Sequence, residues 1–213
     1  IKCNRNYREA TGGMDVYTIV VGFLETNCYV ATNGGGDAVI IDPGANPDRI
    51  IDFVTKRKLR VSRVLLTHGH NDHIGGIEPI MRALNPQVLL HEKEADFVGL
   101  PPAGRRRFDP ADAAPGFALL KDGDEIPLGD IRLKAVHTPG HTPGGACFLA
   151  GSVCFTGDTL FNDGVGRTDF EGGDHKSIIQ SINSKLLSLD DDVKIYPGHG
   201  PSSTIGRERR YFQ

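Results

Sequence analysis

Tryptophan is absent from this 213-residue chain, methionine occurs twice, and the four cysteines (Cys3, Cys28, Cys147 and Cys154) form no C-x-x-C pair. That spacing excludes a zinc knuckle and a dithiol redox motif. No apolar run reaches the ~18–20 residues that a membrane span needs, and the N-terminus lacks the apolar core of a secretory signal. The expectation is therefore a cytoplasmic protein with no membrane partner, whose Cys147 and Cys154, set about a turn at 150–152, are small core residues of a reducing compartment. Charge of one sign is also missing. The balance of 24 basic against 27 acidic residues gives a net −3, so no nucleic-acid-binding surface is implied. Arg105-Arg106-Arg107 is the one local basic run, and it reads as a solvated loop face.

What remains describes one substantial domain, with 38% hydrophobic residues to build its core. Residues 1–13 are polar and read as a leader or tag remnant without structure, which leaves 14–213 as the domain. Short β-branched runs at 16–22, 27–32 and 38–42 predict strands, and Pro47 opens an amphipathic helix to about residue 59. A strand at 63–67, a helix at 76–84 and a strand at 87–91 follow. Segment 99–116 reads as a long loop or lid. The second half repeats the plan, with strands near 125–136 and 145–156, a helix near 174–188 and a strand at 193–196. Such a pattern is consistent with two sheets packed face to face and helices outside them.

One cluster carries chemistry: Thr67-His68-Gly69-His70-Asn71-Asp72-His73, directly behind the apolar Val64-Leu65-Leu66. In extended backbone His68 and His70 face the same way and can grip one ion, whereas Asp72 and His73 are able to begin a second site beside it. A bridged two-metal hydrolytic site needs ions about 3.5–4 Å apart. Three further turns set ligand-capable side chains after strands: His137-Thr-Pro-Gly-His141-Thr-Pro-Gly, Thr-Gly-Asp158-Thr, and Tyr196-Pro-Gly-His199-Gly-Pro. Glycine and proline stiffen each of them, which suits ligands that must be fixed before an ion binds.

These motifs resemble the metallo-beta-lactamase superfamily and, within it, the short glyoxalase II-like (hydroxyacylglutathione hydrolase-like) group, over residues 15 to 212. The resemblance implies a four-layer αββα sandwich, in the α+β class, with two mixed sheets. It assigns His68, His70 and His141 to one divalent ion, Asp72, His73 and His199 to another, and Asp158 to both. Zinc is the expected metal, with iron and manganese as the other candidates. Asp42, in Ile-Ile-Asp-Pro-Gly, matches the family's buried carboxylate beneath the metal loops. His137 is then a packed or hydrogen-bonding support, and His91 and His175 match no ligand position.

Two ions sharing a water would lower its pKa from 15.7 toward ~7 and direct it at a carbonyl carbon, with Asp72 and Asp158 as proton acceptors. The implied substrate is a small thioester of the hydroxyacylglutathione type. Gly166-Arg167-Thr168-Asp169-Phe170 keeps a cation where the family grips glutathione but sets its aromatic one residue further along. Phe170 and Arg167 are thus the substrate-binding candidates, and Arg167 is open to two roles, holding a substrate carboxylate or pairing with Asp169 or Glu171. The C-terminal helical domain of full-length glyoxalase II is not expected, because the sequence stops soon after His199. Homodimerisation stays open. The rival within the fold is a persulfide dioxygenase with one iron on His68, His141 and Asp158. A non-catalytic metal-binding module is the minor alternative, since open ligand sets are catalytic rather than structural in pattern.

Overall fold

The computed structural model describes residues 6–11, 13–100 and 105–212. Among them, eight strands form the first sheet: β1 (Asn6–Thr11), β2 (Met14–Val21), β3 (Thr26–Thr32), β4 (Asp37–Ile41), β5 (Arg60–Leu65), β6 (Gln87–His91), β7 (Arg106–Arg107) and β8 (Gly116–Leu120). Their spatial order is β1-β2-β3-β4-β5-β6-β8-β7. The first four are antiparallel, joined by tight turns, and the rest are parallel. Parallel neighbours need a crossover, and four of the helices lie on three of these connections. They are α1 (Pro47–Lys56), then α2 (Asn71–Ile74) with α3 (Ile77–Leu84), then α4 (Glu92–Phe97).

In the second half come β9 (Glu125–Leu128), β10 (Ile131–His137), β11 (Ala146–Ala150) and β12 (Val153–Gly157), then the small ribbon β13 (Leu160–Phe161) and β14 (Gly164–Val165). Helix α5 (His175–Ser181), β15 (Lys194–Pro197), β16 (Ser203–Thr204) and α6 (Ile205–Glu208) complete the chain. The second sheet runs β16-β15-β12-β11-β10-β9, and its β12–β15 pair is parallel.

Strand periodicity sorts the side chains into layers. Tyr29, Ala31, Val39, Ile41 and Leu65 point from the first sheet toward Leu133, Ala135, Phe148, Phe155 and Tyr196 of the second, forming one buried cluster. Their neighbours in sequence, Cys28, Val30, Ala38, Ile40 and Val64, pack against Ile50, Phe53 and Ile80 of α1 and α3. On the far side Cys147, Cys154 and Ile195 meet Ile178, Ile182 and Leu186. Alternation of two, helix face against sheet face, thus yields helix, sheet, sheet, helix.

Several local expectations are corrected. Within segment 1–13, Asn6–Thr11 forms a strand in register with β2, since a neighbouring edge offers its unpaired groups a partner; residues 1–5 and 12 lie outside the described residues. Segment 105–116 is not a structureless loop. β7 pairs with β8, and the three arginines are engaged, Arg105 with Asp96, Arg106 with Asp112 and Arg107 with Asp124, rather than forming a free solvated face. Residues 101–104 lie outside the described residues. The helix expected near 174–188 changes after α5 into a π turn over Ile182–Leu186, closed by Leu187 N–H donating to the Ile182 carbonyl at 2.9 Å. Cys147 and Cys154 lie diagonally across their hairpin, because the turn pairs Ala150 with Val153 and hence Leu149 with Cys154. Both are free and buried.

Phe155 is fully buried between the sheets, with its ring centroid 5.3 Å from Tyr29 and 5.5 Å from Tyr196. Phe155→Ala is expected to cost ~3–5 kcal/mol, read as a lowered urea midpoint with an unchanged m-value.

Candidate metal centre

The parallel pairs β4–β5 and β12–β15 deliver their carboxyl ends to one edge of the sandwich. At that edge the layers are stitched together. Ala146 N–H donates to the Thr67 carbonyl at 2.8 Å, Asn27 N–H to Gly198 at 2.7 Å, and the Tyr29 hydroxyl to the Pro197 carbonyl at 2.6 Å. Every suspected ligand sits just beyond a strand end here.

After β5 the chain stays extended at His70, which caps the one-turn helix α2 carrying Asp72 and His73. His68, His70 and His141 bring one ring nitrogen each within 4.8 Å of one another, and so do the ligand atoms of Asp72, His73 and His199. Asp158 faces both groups: its Oδ1 is 3.5 Å from His73 Nε2 and its Oδ2 is 3.5 Å from His141 Nε2. All seven side chains therefore meet at one place.

Hydrogen bonds settle which nitrogen of each ring is free to ligate. His141 Nδ1 donates to the Arg167 carbonyl at 2.7 Å and His199 Nδ1 to the Leu24 carbonyl at 3.0 Å. His73 Nδ1 donates to Asp42 Oδ2 at 2.9 Å. Thr67 Oγ1 gives its proton to Asp42 Oδ2 at 2.6 Å and so accepts from His68 Nδ1 at 3.1 Å. In these four rings Nε2 is the nitrogen left to face inward. His70 is the exception, for its Nδ1 faces His141 Nε2 at 2.9 Å. The inward atoms His68 Nε2, His73 Nε2 and Asp158 Oδ1 are buried and make no hydrogen bond. Three orphaned donors or acceptors in one spot are costly unless a cation satisfies them, so the donor set fits a metal site.

Electrostatics agree. Burial and the neighbouring His73 and His141 push the His68 imidazole well below its ordinary pKa, favouring a neutral, ligating ring. Burial opposes charge on His73 as well, but Asp42, Asp158 and Asp72 outweigh it and raise its pKa to about 9. Against its own burial, Asp72 is driven below the usual carboxylate range by His199 and His73. Without a cation, protons thus offset the carboxylates.

The family model described as Metallo-beta-lactamase superfamily matches residues 21–199. The chain belongs to the metallo-beta-lactamase superfamily. Hydroxyacylglutathione hydrolase GloC of Haemophilus influenzae is 36% identical, the match covering 92% of this chain and 96% of that one. The crystal structure of the B3 metallo-beta-lactamase BLEG-1 superposes with a TM-score of 0.80 at 34% identity, covering 92% and 96%. TTHA1623 in a di-iron-bound form gives a TM-score of 0.76 at 33% identity, covering 91% and 96%.

Among the supporting candidates, Asp42 is buried with a left-handed φ of 50° and accepts from Thr67 N–H at 2.8 Å besides the two contacts above. Such a backbone persists only where its surroundings over-determine it, and here three donors to the carboxylate hold it in place. His137 offers no nitrogen to the centre. Its Nε2 donates to the Pro143 carbonyl at 3.0 Å, and its ring stacks on His91 at 3.9 Å and 6°. His91 is accordingly a buried stacking partner, whereas His175 is exposed.

Sequence reasoning passed over three contributors. Thr26 donates to Asp72 Oδ2 at 3.0 Å, Glu94 accepts from both metal loops, and Gly198 leaves the space that a Cβ would take from Asp158 and His73. The available signal for Glu94 was a charged residue beside Ala95 on the inward face of a short helix.

Burial and the neighbouring His137 and Lys93 lower the His91 pKa to about 4. Its folded pKa lies below the unfolded ~6.5, so the stability it contributes is complete above pH 6.5 and is lost as pH falls toward 4. His91→Gln is expected to flatten that limb by up to one proton, about 1.4 kcal/mol per pH unit, in urea unfolding followed from pH 7 to 4. An unchanged slope contradicts it.

Proposed function

We propose that this chain is a binuclear metal-dependent hydrolase of the cytoplasm, acting on thioesters of the hydroxyacylglutathione type or related small acyl thioesters. The observation that carries the reading is the set of inward ring nitrogens and the Asp158 oxygen that have no other partner. His68, His70 and His141 would hold one divalent ion, Asp72, His73 and His199 a second, and Asp158 both, with zinc the favoured metal. When bound, such a pair supplies Lewis acidity and a water acidified toward neutral pH. The name of the GloC relative supports the choice of substrate, and the di-iron form of TTHA1623 supports the choice of two ions.

The chain's own residues do the rest. A cavity of about 710 Å³ opens over the ligands, walled by Leu24, Phe97, Phe161 and Phe170, with Arg167 and Glu171 at its rim. That wall excludes water from an acyl group lying against Phe97 and Phe170, whose neighbour His70 is 6.0 and 5.8 Å from their rings. During hydrolysis the water oxygen bonds to the carbonyl carbon, the carbon–sulfur bond breaks, and the thiolate departs. Asp72 and Asp158, both facing the same inward space, are placed to take the released proton.

Arg167 chelates Asp169 through Nε at 2.9 Å and a terminal nitrogen at 2.6 Å, and lies 4.1 Å from the Phe170 ring centroid. The pair is about two-thirds exposed, so it is worth little and yields readily to a substrate carboxylate. Arg167→Ala is expected to raise KM ~10-fold or more with kcat nearly unchanged, since a charge-assisted hydrogen bond contributes ~1.5–3 kcal/mol. Equal KM values for variant and parent would leave Arg167 as a mere ion pair.

Metal analysis and turnover of a hydroxyacylglutathione test the reading directly. Two ions per chain and thioester cleavage are expected, and Asp158→Ala should lose metal and at least ~100-fold in kcat/KM, as expected for loss of a group that supports both ions. One iron with oxygen uptake on glutathione persulfide would instead establish the dioxygenase chemistry.

A further inference from the structure

Glu94 is a charged residue that the mechanism leaves unused, although it is buried with 1% of its surface exposed. It lies on α4, beyond β6, and belongs to neither loop that carries the three-histidine group. Its Oε1 accepts the Gly69 N–H at 2.7 Å. Its Oε2 accepts the Thr142 hydroxyl at 2.8 Å and the Gly144 N–H at 2.9 Å. Gly69 stands between His68 and His70, and Thr142 follows His141. One carboxylate therefore bridges two loops that are far apart in sequence and whose ligand nitrogens, His70 Nδ1 and His141 Nε2, face each other at 2.9 Å.

Close approach is built into both loops. A Cβ at Gly144 would overlap the Glu94 backbone, and one at Gly69 would overlap the Val98 side chain and crowd Glu94 Oε1. Both loops therefore pack directly onto α4 and Val98 at its C-terminal end. The second group is held by different means: His73 by Asp42, Asp72 by Thr26, and His199 by the Leu24 carbonyl. None of its members touches Glu94 in these contacts.

We infer that Glu94 is a positioning residue for the three-histidine half of the centre alone, clamping the His68–His70 loop to the His141 loop so that their inward nitrogens converge. This rests on the metal reading above. Glu94→Gln preserves length and shape but turns one acceptor oxygen into a donor, which must face at least one N–H or O–H of the clamp, so one loop is released. Removing such an outer partner of a ligand typically weakens metal affinity 10–100-fold.

The test is titration of the metal-free full chain with Co(II), followed by absorption, with thermal unfolding of the same metal-free samples alongside. The parent is expected to take up two equivalents, and Glu94→Gln one tightly and the other 10–100-fold more weakly. In the Glu94→Gln background, adding His70→Ala should leave the tight equivalent in place, whereas adding His199→Ala should remove it. Equal weakening of both equivalents, in step with a fall in the melting temperature, would make Glu94 a general fold anchor and overturn the proposal. So would two equivalents at parental affinity. Thr142→Val, which deletes one bond of the clamp, decides the matter if Glu94→Gln does not fold: selective weakening of one equivalent supports the proposal, and parental binding of both overturns it. A parent that binds no Co(II) sinks the metal reading itself, an outcome distinct from a parent that binds two and a variant that does the same.

Discussion

An imidazole tethered by one nitrogen has only one direction left for the other, and the candidate centre is built on that constraint. In four of the five rings the outer nitrogen is spent on a carbonyl, a carboxylate or a hydroxyl at 2.7–3.1 Å. Those partners belong to the scaffold: backbone carbonyls for His141 and His199, the Asp42 carboxylate for His73 and, through the Thr67 hydroxyl, for His68. His141 is aimed by the carbonyl of Arg167, and His199 by that of Leu24 in the β2–β3 turn. A shift in any of these elements would be transmitted to a ligand, which is why the inter-sheet bonds at this edge, such as Tyr29 to Pro197, bear on function as much as on stability.

Two buried carboxylates hold the metal loops from below. Asp42 collects the Thr67 amide, the Thr67 hydroxyl that orients His68, and the His73 ring, so it serves both groups, while Glu94 collects an amide, a hydroxyl and a second amide from the two loops of the three-histidine group. Each satisfies its acceptor capacity with three donors. An ionised group so deeply buried survives only with that degree of compensation. Burial nevertheless raises the Glu94 pKa, offset in part by Thr142, Gly69 and Gly144.

The ligands were legible because their chemistry demands them at short spacing: three imidazoles and a carboxylate in six residues have few other uses. The layer order was legible too, since Tyr29 and Ala31 alternate with Cys28 and Val30 across β3. Glu94 escaped notice because its partners lie 25, 48 and 50 residues away, and a single sequence does not show that those loops converge on one helix. β7 and β1 were missed for a related reason. Two-residue Arg106–Arg107 and the polar Asn6–Thr11 carry no apolar alternation, and only the neighbouring strand makes them strands. The π turn after α5 leaves Ile178, Ile182 and Leu186 all buried, so its hydrophobic pattern looks like that of an unbroken helix.

Substrate choice is decided where the metal-edge constraints end. The carboxylates and imidazoles tie down the floor of the cavity, and a floor of this kind suits many acyl substrates. Its rim is different in character. Leu24 is 59% exposed on the turn whose carbonyl aims His199, and Phe170 at 46% lines the same cavity beside Arg167. Large apolar side chains so exposed around a cavity mark a contact surface rather than a packing need. Between them they offer apolar faces to an acyl chain and, in Arg167, a cation whose present partner Asp169 is held only in solvent-screened contact. A ligand with a small acyl group and a distant carboxylate can satisfy both features at once. Such a rim favours a ligand that carries a carboxylate over a neutral one of the same size, for only the former supplies a replacement for Asp169.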